Sequence, residues 1–193
     1  MLIPKIIQLS MSKQNPNDAI TQKFVLELNA VLAIENAGME RLHTRIQESR
    51  LDEIKQQLQQ HLHESTDHQK RLQKIIQDMG GEPTQEKSGL PLPIYPDIIW
   101  KMMSNSMTKQ EWELKRAEED LIVENAEAVC YTMLIQKAKA GGDMFYDTLE
   151  SLSLNLKDEQ HMIDWINNNL PGMLTRLWPS MQTNHSKDNS NDQ

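Results

Sequence analysis

Residues 24–48 read FVLELNAVLAIENAGMERLHTRIQE, and the spacing of their apolar side chains decides the fold. Every third or fourth residue belongs to one stripe, as on the buried face of an amphipathic helix. The members of that stripe are Val25, Leu28, Leu32, Glu35, Met39, Leu42 and Ile46. Glu35 therefore stands where the repeat requires an apolar residue, and we expect its carboxylate to point at partner helices rather than at water.

Residues 149–166, LESLSLNLKDEQHMIDWI, show the same arrangement in a later part of the chain. Their stripe consists of Leu149, Leu152, Leu156, Glu159, Ile163 and Ile166. An ionised carboxylate buried without a partner is strongly unfavourable. Two of them directed at one core require bound cations, shared protons or a water-filled cavity, and a metal site is the simplest of these explanations.

The chain divides into a helical domain and two flanking segments. We expect an irregular leader over residues 1–17, a bundle over 18–179, and a disordered tail over 180–193, which is rich in Asn, Ser, Asp and Gln. Within the domain, cap and stop signals such as the capping box at Thr108 and the pair Gly80-Gly81 delimit the helices. They predict four long helices, over residues 18–48, 51–79, 108–141 and 143–171.

The connection over residues 82–107 contains several prolines and has room for only one short helix, around residues 97–103. A connection this long crosses the bundle from end to end and leaves the second and third helices parallel, whereas the short breaks make their neighbours antiparallel. The alternation typical of β-strands is absent from the sequence. We therefore predict an all-α fold, a ferritin-like four-helix bundle with one long crossover between helices two and three.

Three ligand-type residues share one face of the second helix, namely His61, Glu64 and His68. They continue the stripe formed by Ile54, Leu58, Leu72, Ile75 and Met79. A carboxylate and an imidazole one turn apart can bind a single ion, and a second acceptor can hold each ring in one tautomer. This face therefore favours a metal site over an ordinary set of solvated side chains.

The third helix is apolar on most sides and carries two inward candidates, Glu124 and Glu127. Each lies on an apolar row, so periodicity alone leaves the choice between them open. Tyr131 could hydrogen-bond a carboxylate or simply pack in the core.

In the fourth helix there are two alternatives for the residues that face the core, and they cannot both be correct. Asp158 and His161 have the carboxylate-x-x-histidine spacing of di-iron bundle proteins. Glu159 is favoured instead because the apolar stripe includes it, and Asp158 is then expected to face outward as a solvated acid.

Charge and composition narrow the function. The 193 residues carry a formal charge of −8 and have a pI near 5.2, which argues against a nucleic-acid or anionic membrane partner. The single cysteine excludes an intramolecular disulfide, and the sequence favours a cytoplasmic protein. Four inward glutamates, one from each helix, would be neutralised by two divalent ions. A mixed carboxylate and imidazole site suits iron, manganese or zinc.

Motifs on all four helices resemble those of the bacterial YciE/YciF proteins of the ferritin-like superfamily, over about residues 24–178. The similarity rests on Ala33-Ile34-Glu35, on His61-Leu62-His63-Glu64-Ser65, on residues 124–131 (ENAEAVCY) and on residues 159–165. The third of these stretches also resembles the carboxylate-bearing helix of bacterioferritin, which favours Glu127 over Glu124.

The resemblance implies a set of metal ligands: Glu35, His61, Glu64, Glu127 and Glu159. It also departs from the classical di-iron pattern, because Asp67 and Met162 stand where those proteins have histidine. A stress-associated protein that binds one or two iron or manganese ions, with oxidase or peroxide-reducing activity, is the function that this resemblance implies. The alternative is a non-enzymatic, dimeric helical interaction module with a degenerate metal site. In either case we expect a homo-oligomer, namely a dimer.

Overall fold

The computed structural model describes residues 16–89, 92 and 95–188, and every regular element within them is helical. Its α-helices are α1 Pro16–Glu48, α2 Asp52–Asp78, α3 Asp97–Ser106, α4 Lys109–Ala140 and α5 Leu149–Asp188. Two single 3-10 turns, Gly142–Met144 and Tyr146–Thr148, join α4 to α5. The predicted all-α class and the short helix within the crossover are confirmed. We expected an irregular leader over residues 1–17, and residues 1–15 of it lie outside the described residues.

Local sequence signals fix the helix ends. Thr108 Oγ1 accepts a hydrogen bond from the N–H of Glu111 at 3.2 Å, and Glu111 Oε2 accepts one from the N–H of Thr108 at 2.6 Å. This reciprocal pair is the predicted capping box of α4. Beyond α2, Gly80 has a φ of 79°, in the left-handed region that glycine enters without steric strain. The N–H of Gly81 then satisfies the carbonyl of Ile76 at 2.8 Å.

The order of contacts gives the direction of each helix. Glu35 on α1 meets His68 on α2, whereas Met39 farther along α1 meets Thr66, so these helices are antiparallel. The contacts between α1 and α4, between α2 and α5, and between α4 and α5 also run in opposite order. Hence α2 and α4 are parallel, as the predicted topology requires.

The crossover follows α1 in the direction of that helix. The Asn29 side chain bonds the backbone of Glu82 and Thr84, and Asn36 Nδ2 donates to the carbonyl of Glu86 at 2.9 Å. The N–H of Ser88 donates to the carbonyl of Ala33, in the middle of α1, at 2.9 Å. The side-chain amides of α1 thus anchor a segment that has no regular structure of its own.

The start of α5 differs from the prediction. We expected a helix from Asp143, but two 3-10 turns intervene and α5 begins at Leu149. Gly142 has a φ of 62°, which breaks the helical path after α4 and explains the delay.

The far end of α5 also differs from the prediction, because the helix passes through Pro171 and continues to Asp188. Proline has a helical φ and removes one backbone hydrogen bond, and the burial of Met173 just beyond it, at 1% exposure, offsets part of that loss. Residues 180–188 therefore extend the helix where we expected disorder, since lengthening an existing helix needs no new nucleus. Residues 189–193 of the expected tail lie outside the described residues.

The core consists of two apolar clusters separated by a polar layer. One cluster contains Phe24, Leu28, Leu32, Leu72, Ile76, Leu134 and Leu152 among its buried members. The other contains Leu42, Ile54, Leu58, Ala117, Met162, Ile166 and Met173. Between them, each long helix places at least one buried glutamate or histidine. Within the described residues, no helix combines the length and apolarity needed to cross a membrane.

Candidate metal centre

The polar layer contains the acidic residues that the stripes predicted. Glu35 is 1% exposed and Glu159 is fully buried, so both carboxylates face the partner helices as expected. His61 and His68 on α2 are equally buried, at 1% and 0% exposure. Glu124 and Glu127 complete the layer from α4, at 3% and 4%.

A first group of ligand atoms forms around His68. Its Nδ1 lies 3.2 Å from Glu35 Oε1 and 3.0 Å from Glu159 Oε1. One ligand atom from each of these three residues lies within 4.8 Å of the other two, so a single ion could contact all three. We call this set the first triad.

A second group forms around His61, whose Nε2 lies 2.8 Å from Glu124 Oε2 and 3.7 Å from Glu159 Oε2. These three residues satisfy the same 4.8 Å limit, and we call them the second triad. Glu159 belongs to both triads, with Oε1 near His68 and Oε2 near His61. If each triad held an ion, Glu159 would supply an oxygen to both.

The other ring nitrogen of His61 faces a carboxylate outside the triads. Its Nδ1 lies 3.2 Å from Glu64 Oε2, which is within hydrogen-bonding distance. If Nδ1–H donates to Glu64, the ring is held in the tautomer that leaves Nε2 free to bind a metal. Sequence analysis placed Glu64 among the ligands. The structure brings it into neither triad, because one helical turn from His61 its side chain reaches the outer side of the ring, where it is 19% exposed.

His68 is held in the same way by Asp158. The Nε2 of His68 lies 3.2 Å from Asp158 Oδ2, and Arg71 Nη1 lies 3.3 Å from the same oxygen. The expectation that Asp158 is an ordinary solvated acid was wrong, because α2 packs close enough to α5 to bring His68 against it. His161, the other residue of the alternative pair in the fourth helix, is 52% exposed, and its Nδ1 lies 3.9 Å from Glu64 Oε1. It belongs to neither triad.

Tyr131 extends the network around the first triad. Its hydroxyl donates a short hydrogen bond to Glu35 Oε1 and accepts one from Asn155 Nδ2 at 3.0 Å. Burial, together with the charges of Glu35 and Glu159, raises the pKa of Tyr131 well above 10.0, so the phenol keeps its proton. The sequence allowed Tyr131 either to hydrogen-bond a carboxylate or simply to pack in the core, and the hydrogen bond to a carboxylate is observed.

Glu127 lies beside the triads but belongs to neither. Its Oε1 is buried and accepts no hydrogen bond from the described residues. The resemblance favoured Glu127 over Glu124, whereas the structure buries both and places Glu124 in the second triad. Sequence could not separate them because α4 has buried residues on both rows.

Burial and mutual repulsion perturb the acids of the layer. The pKa of Glu127 is raised well above 4.5 by burial and by the charges of Glu35 and Glu124. The pKa of Glu159 is raised well above 4.5 by burial and by Glu127, Glu124 and Glu35. Burial acts to lower the pKa of His61, but the charge and hydrogen bond of Glu124, the hydrogen bond of Glu64 and the charge of Glu127 together outweigh it and raise the pKa well above 6.5. Without a bound cation, the layer therefore keeps protons on some of its carboxyl groups, and a cation could take the place of those protons.

The donor set fits a transition metal. Glu127 Oε1 is buried without a hydrogen-bond partner among the described residues. The two oxygens of Glu159 lie near His68 and His61 but make no hydrogen bond of good geometry with either ring. Such oxygens are costly in an apolar core unless something positive reaches them. Each triad supplies two carboxylates and one imidazole nitrogen, a mixture typical of iron, manganese and zinc sites.

The protein is a four-helix bundle with one long crossover and an inner layer of carboxylates and histidines. Its fold is ferritin-like. Its family follows from the sequence. The family described as a domain of unknown function, DUF892, matches residues 19–177, and the chain belongs to this family.

Solved structures that are similar to this one include the following two. A protein from Xanthomonas campestris pv. campestris str. ATCC 33913 aligns with a TM-score of 0.67 and 14% identity, over 84% of this chain and 99% of that chain. The bacterioferritin of Desulfovibrio desulfuricans aligns with a TM-score of 0.62 and 18% identity, over 84% of this chain and 86% of that chain. The latter structure is described as showing a diiron site in different catalytic states. A comparison with curated proteins finds no match.

Proposed function

We propose that the protein binds one or two transition-metal ions in the polar layer of its bundle. The observation that carries this proposal is the pair of buried triads that share Glu159. One ion would be held by Glu35, His68 and Glu159, and the other by His61, Glu124 and Glu159. Binding would neutralise carboxylates that otherwise repel one another.

Both imidazoles of this site come from α2. The residues that replace the histidines of classical di-iron proteins lie elsewhere, since Asp67 pairs with Lys70 at the surface and Met162 packs in the second apolar cluster. His61 and His68 supply the two nitrogens instead, one to each triad. The departure from the classical spacing therefore does not deprive the layer of nitrogen ligands.

Iron or manganese is the metal we propose, with zinc as the third candidate. Carboxylate-rich sites with one imidazole per ion suit iron and manganese, and the diiron site described for the bacterioferritin above supports iron. A redox-active ion would allow oxidase or peroxide-reducing activity. A stress-associated role, a cytoplasmic location and membership of the YciE/YciF group belong to the same proposal and rest on the sequence resemblance.

A second candidate is a dimeric interaction module with a degenerate metal site. Exposed apolar side chains favour it, since Ile98 and Met102 on α3 are 73% and 71% exposed and Val129 on α4 is 61% exposed. Such surfaces often cover one another in oligomers. The buried carboxylates argue against a degenerate site, because leucine at Glu35 or Glu159 would stabilise a bundle freed from metal binding.

Metal analysis of the protein, purified without added metal or chelator, separates the two candidates. We expect one or two equivalents of iron or manganese per chain, and loss of that metal in Glu159→Gln. The variant Glu86→Gln, which changes an exposed glutamate of the crossover, is the matched control and should retain the metal. Protein that is purified without metal, and that also fails to bind added Fe²⁺ or Mn²⁺, would support the interaction module.

A further inference from the structure

A cavity of about 210 Å³ lies between α1, α4 and the crossover, outside both triads. Its lining is mostly apolar and consists of Ile34, Ala37, Gly38, Arg41, Gly89, Leu92, Val123 and Glu127. Gly89 is exposed, so the cavity reaches the surface of the protein.

Glu127 connects this cavity to the polar layer. The residue is 4% exposed, and its Oε1 has no hydrogen-bond partner among the described residues. The charges of Glu35 and Glu124, one from each triad, act on the same carboxylate. Glu127 thus borders the cavity on one side and the triads on the other.

Gly38 lines the cavity beside that carboxylate. A Cβ atom at this position of α1 would lie 3.0 Å from Glu127 Oε1, closer than ordinary van der Waals contact. Glycine in a helix interior is less stable than alanine, and the close approach of Glu127 accounts for its presence here. A methyl group at this position would narrow the cavity next to the carboxylate.

The charged groups at the cavity are Glu127 and Arg41, together with the two acids that pair with Arg41. Arg41 is the positive group of the lining, and its Nη2 lies 2.8 Å from Asp120 Oδ1 and 3.4 Å from Glu119 Oε2. These two acids offset its charge, and Glu127, whose Oε1 has no hydrogen-bond partner among the described residues, lies at the inner end of the cavity. Apolar walls with one sign of charge behind them concentrate the field and attract counter-ions.

We propose that this cavity is the route by which a divalent metal ion enters the centre, and that Glu127 is the first ligand the ion meets. The inference rests on the proposed function, because it concerns how the same ions reach the triads. Glu127 would bind the ion transiently through its free oxygen and pass it to Glu124 or Glu35. Gly38 is the residue that keeps this passage open.

Metal uptake kinetics test the route separately from metal affinity. Protein stripped of metal is mixed with Co²⁺, uptake is followed by visible absorption in a stopped-flow instrument, and the dissociation constant is measured by competition with a chelator. In Gly38→Ala we expect uptake and release each to slow by about tenfold, with the dissociation constant within about threefold of wild type, because a blocked path changes both rates equally.

Two control variants separate blockage from other effects. Gly89→Ala adds a methyl to the same cavity at an ordinary 3.7 Å from the Cβ of Ala37 and away from Glu127, so it should slow uptake far less. Gly172→Ala meets no atom within 4 Å and should change nothing beyond general helix stability. If Gly38→Ala alters the fold by circular dichroism, Glu127→Gln replaces it, with uptake slowed about tenfold and a smaller loss of affinity than in Glu159→Gln.

The outcomes distinguish this inference from the proposed function. Wild-type protein that binds Co²⁺, with unchanged uptake rates in both Gly38→Ala and Glu127→Gln, would overturn the entry route and leave the metal centre in place. A weaker dissociation constant in Gly38→Ala at an unchanged uptake rate would also overturn it. Wild-type protein that binds no Co²⁺, Fe²⁺ or Mn²⁺ would overturn both.

Discussion

The Nε2 of His68 lies 3.2 Å from Asp158 Oδ2, so a carboxylate outside the two triads holds the ring whose Nδ1 faces the first triad. The second triad repeats this relationship, with Glu64 Oε2 3.2 Å from the Nδ1 of His61. In both cases the outer nitrogen of the ring faces an acid and the inner nitrogen faces the core. Outer acceptors of this kind fix the tautomer and orientation of a metal-binding histidine.

Replacing the outer acid of His68 should weaken metal binding without removing a ligand. In Asp158→Ala we expect the affinity of the first triad to fall by about 10-fold to 100-fold, the usual effect of losing such a partner. Competition titration with Co²⁺ measures the change. Asp164→Ala, which removes an exposed acid from the same helix, is the control and should leave affinity unchanged. Equal effects in both variants would assign the loss to general charge rather than to the His68 contact.

The shared position of Glu159 predicts a pattern of stoichiometry. Since Glu159 belongs to both triads, Glu159→Gln should reduce bound metal at both positions. Glu35→Gln should affect only the first triad, and Glu124→Gln only the second. In protein that binds two ions, titration followed by elemental analysis should give about two ions for wild type and about one for each of the latter variants. Complete loss in all three variants would contradict two separable positions.

Metal-free protein should lose stability as the pH rises. Glu127 and Glu159, whose native pKa values are raised well above 4.5, keep protons in the folded state that the unfolded chain releases. Their contribution to the free energy of unfolding is therefore full below pH 4.5 and is lost as the pH rises through the native pKa. The pKa of His61 is also raised, so its contribution to the free energy of unfolding is likewise lost as the pH rises above 6.5. Urea unfolding in the presence of chelator should show this decline as the pH rises above 4.5.

An acid whose pKa is lowered in the folded protein affects stability at the acidic end of the pH range. Glu64, through its hydrogen bond with His61, has a pKa below 4.5, so its contribution is present above 4.5 and is lost as the pH falls through the native value. Bound metal should reverse the high-pH trend, because an ion displaces the protons and binds more tightly as the pH rises. In metal-free Glu127→Gln the decline should be shallower. An unchanged slope in that variant would contradict the raised pKa of Glu127.

Helix periodicity predicted some residues of the layer because those residues lie on narrow stripes. Glu35 and Glu159 interrupt otherwise apolar seams, and His61 and His68 are two turns apart on one face of α2, so burial follows from each helix alone. The topology likewise followed from the lengths of the connections.

Other contacts depend on how the helices sit against one another, which periodicity does not report. Asp158 acquires its role only because α2 packs against α5 at that height. The choice between Glu124 and Glu127 depends on the rotation of α4, a helix with buried residues on two rows. The passage of α5 through Pro171 depends on the burial of Met173 beyond it. Each of these is a tertiary effect that overrides a local signal.

The hydroxyl of Tyr131 should matter more to the metal-free protein than to the loaded one. It donates to Glu35 Oε1 and accepts from Asn155 Nδ2, and Tyr131→Phe leaves both groups buried without this partner. We expect the metal-free variant to lose about 1–3 kcal/mol of stability, the usual cost of unsatisfied buried polar groups. A metal ion on Glu35 would replace the lost partner, so the loss should shrink when Co²⁺ is bound. Thermal unfolding with and without Co²⁺ measures both values, and Tyr146→Phe, at a residue 68% exposed, is the control. An equal loss in the two states would mean that the ion does not contact Glu35.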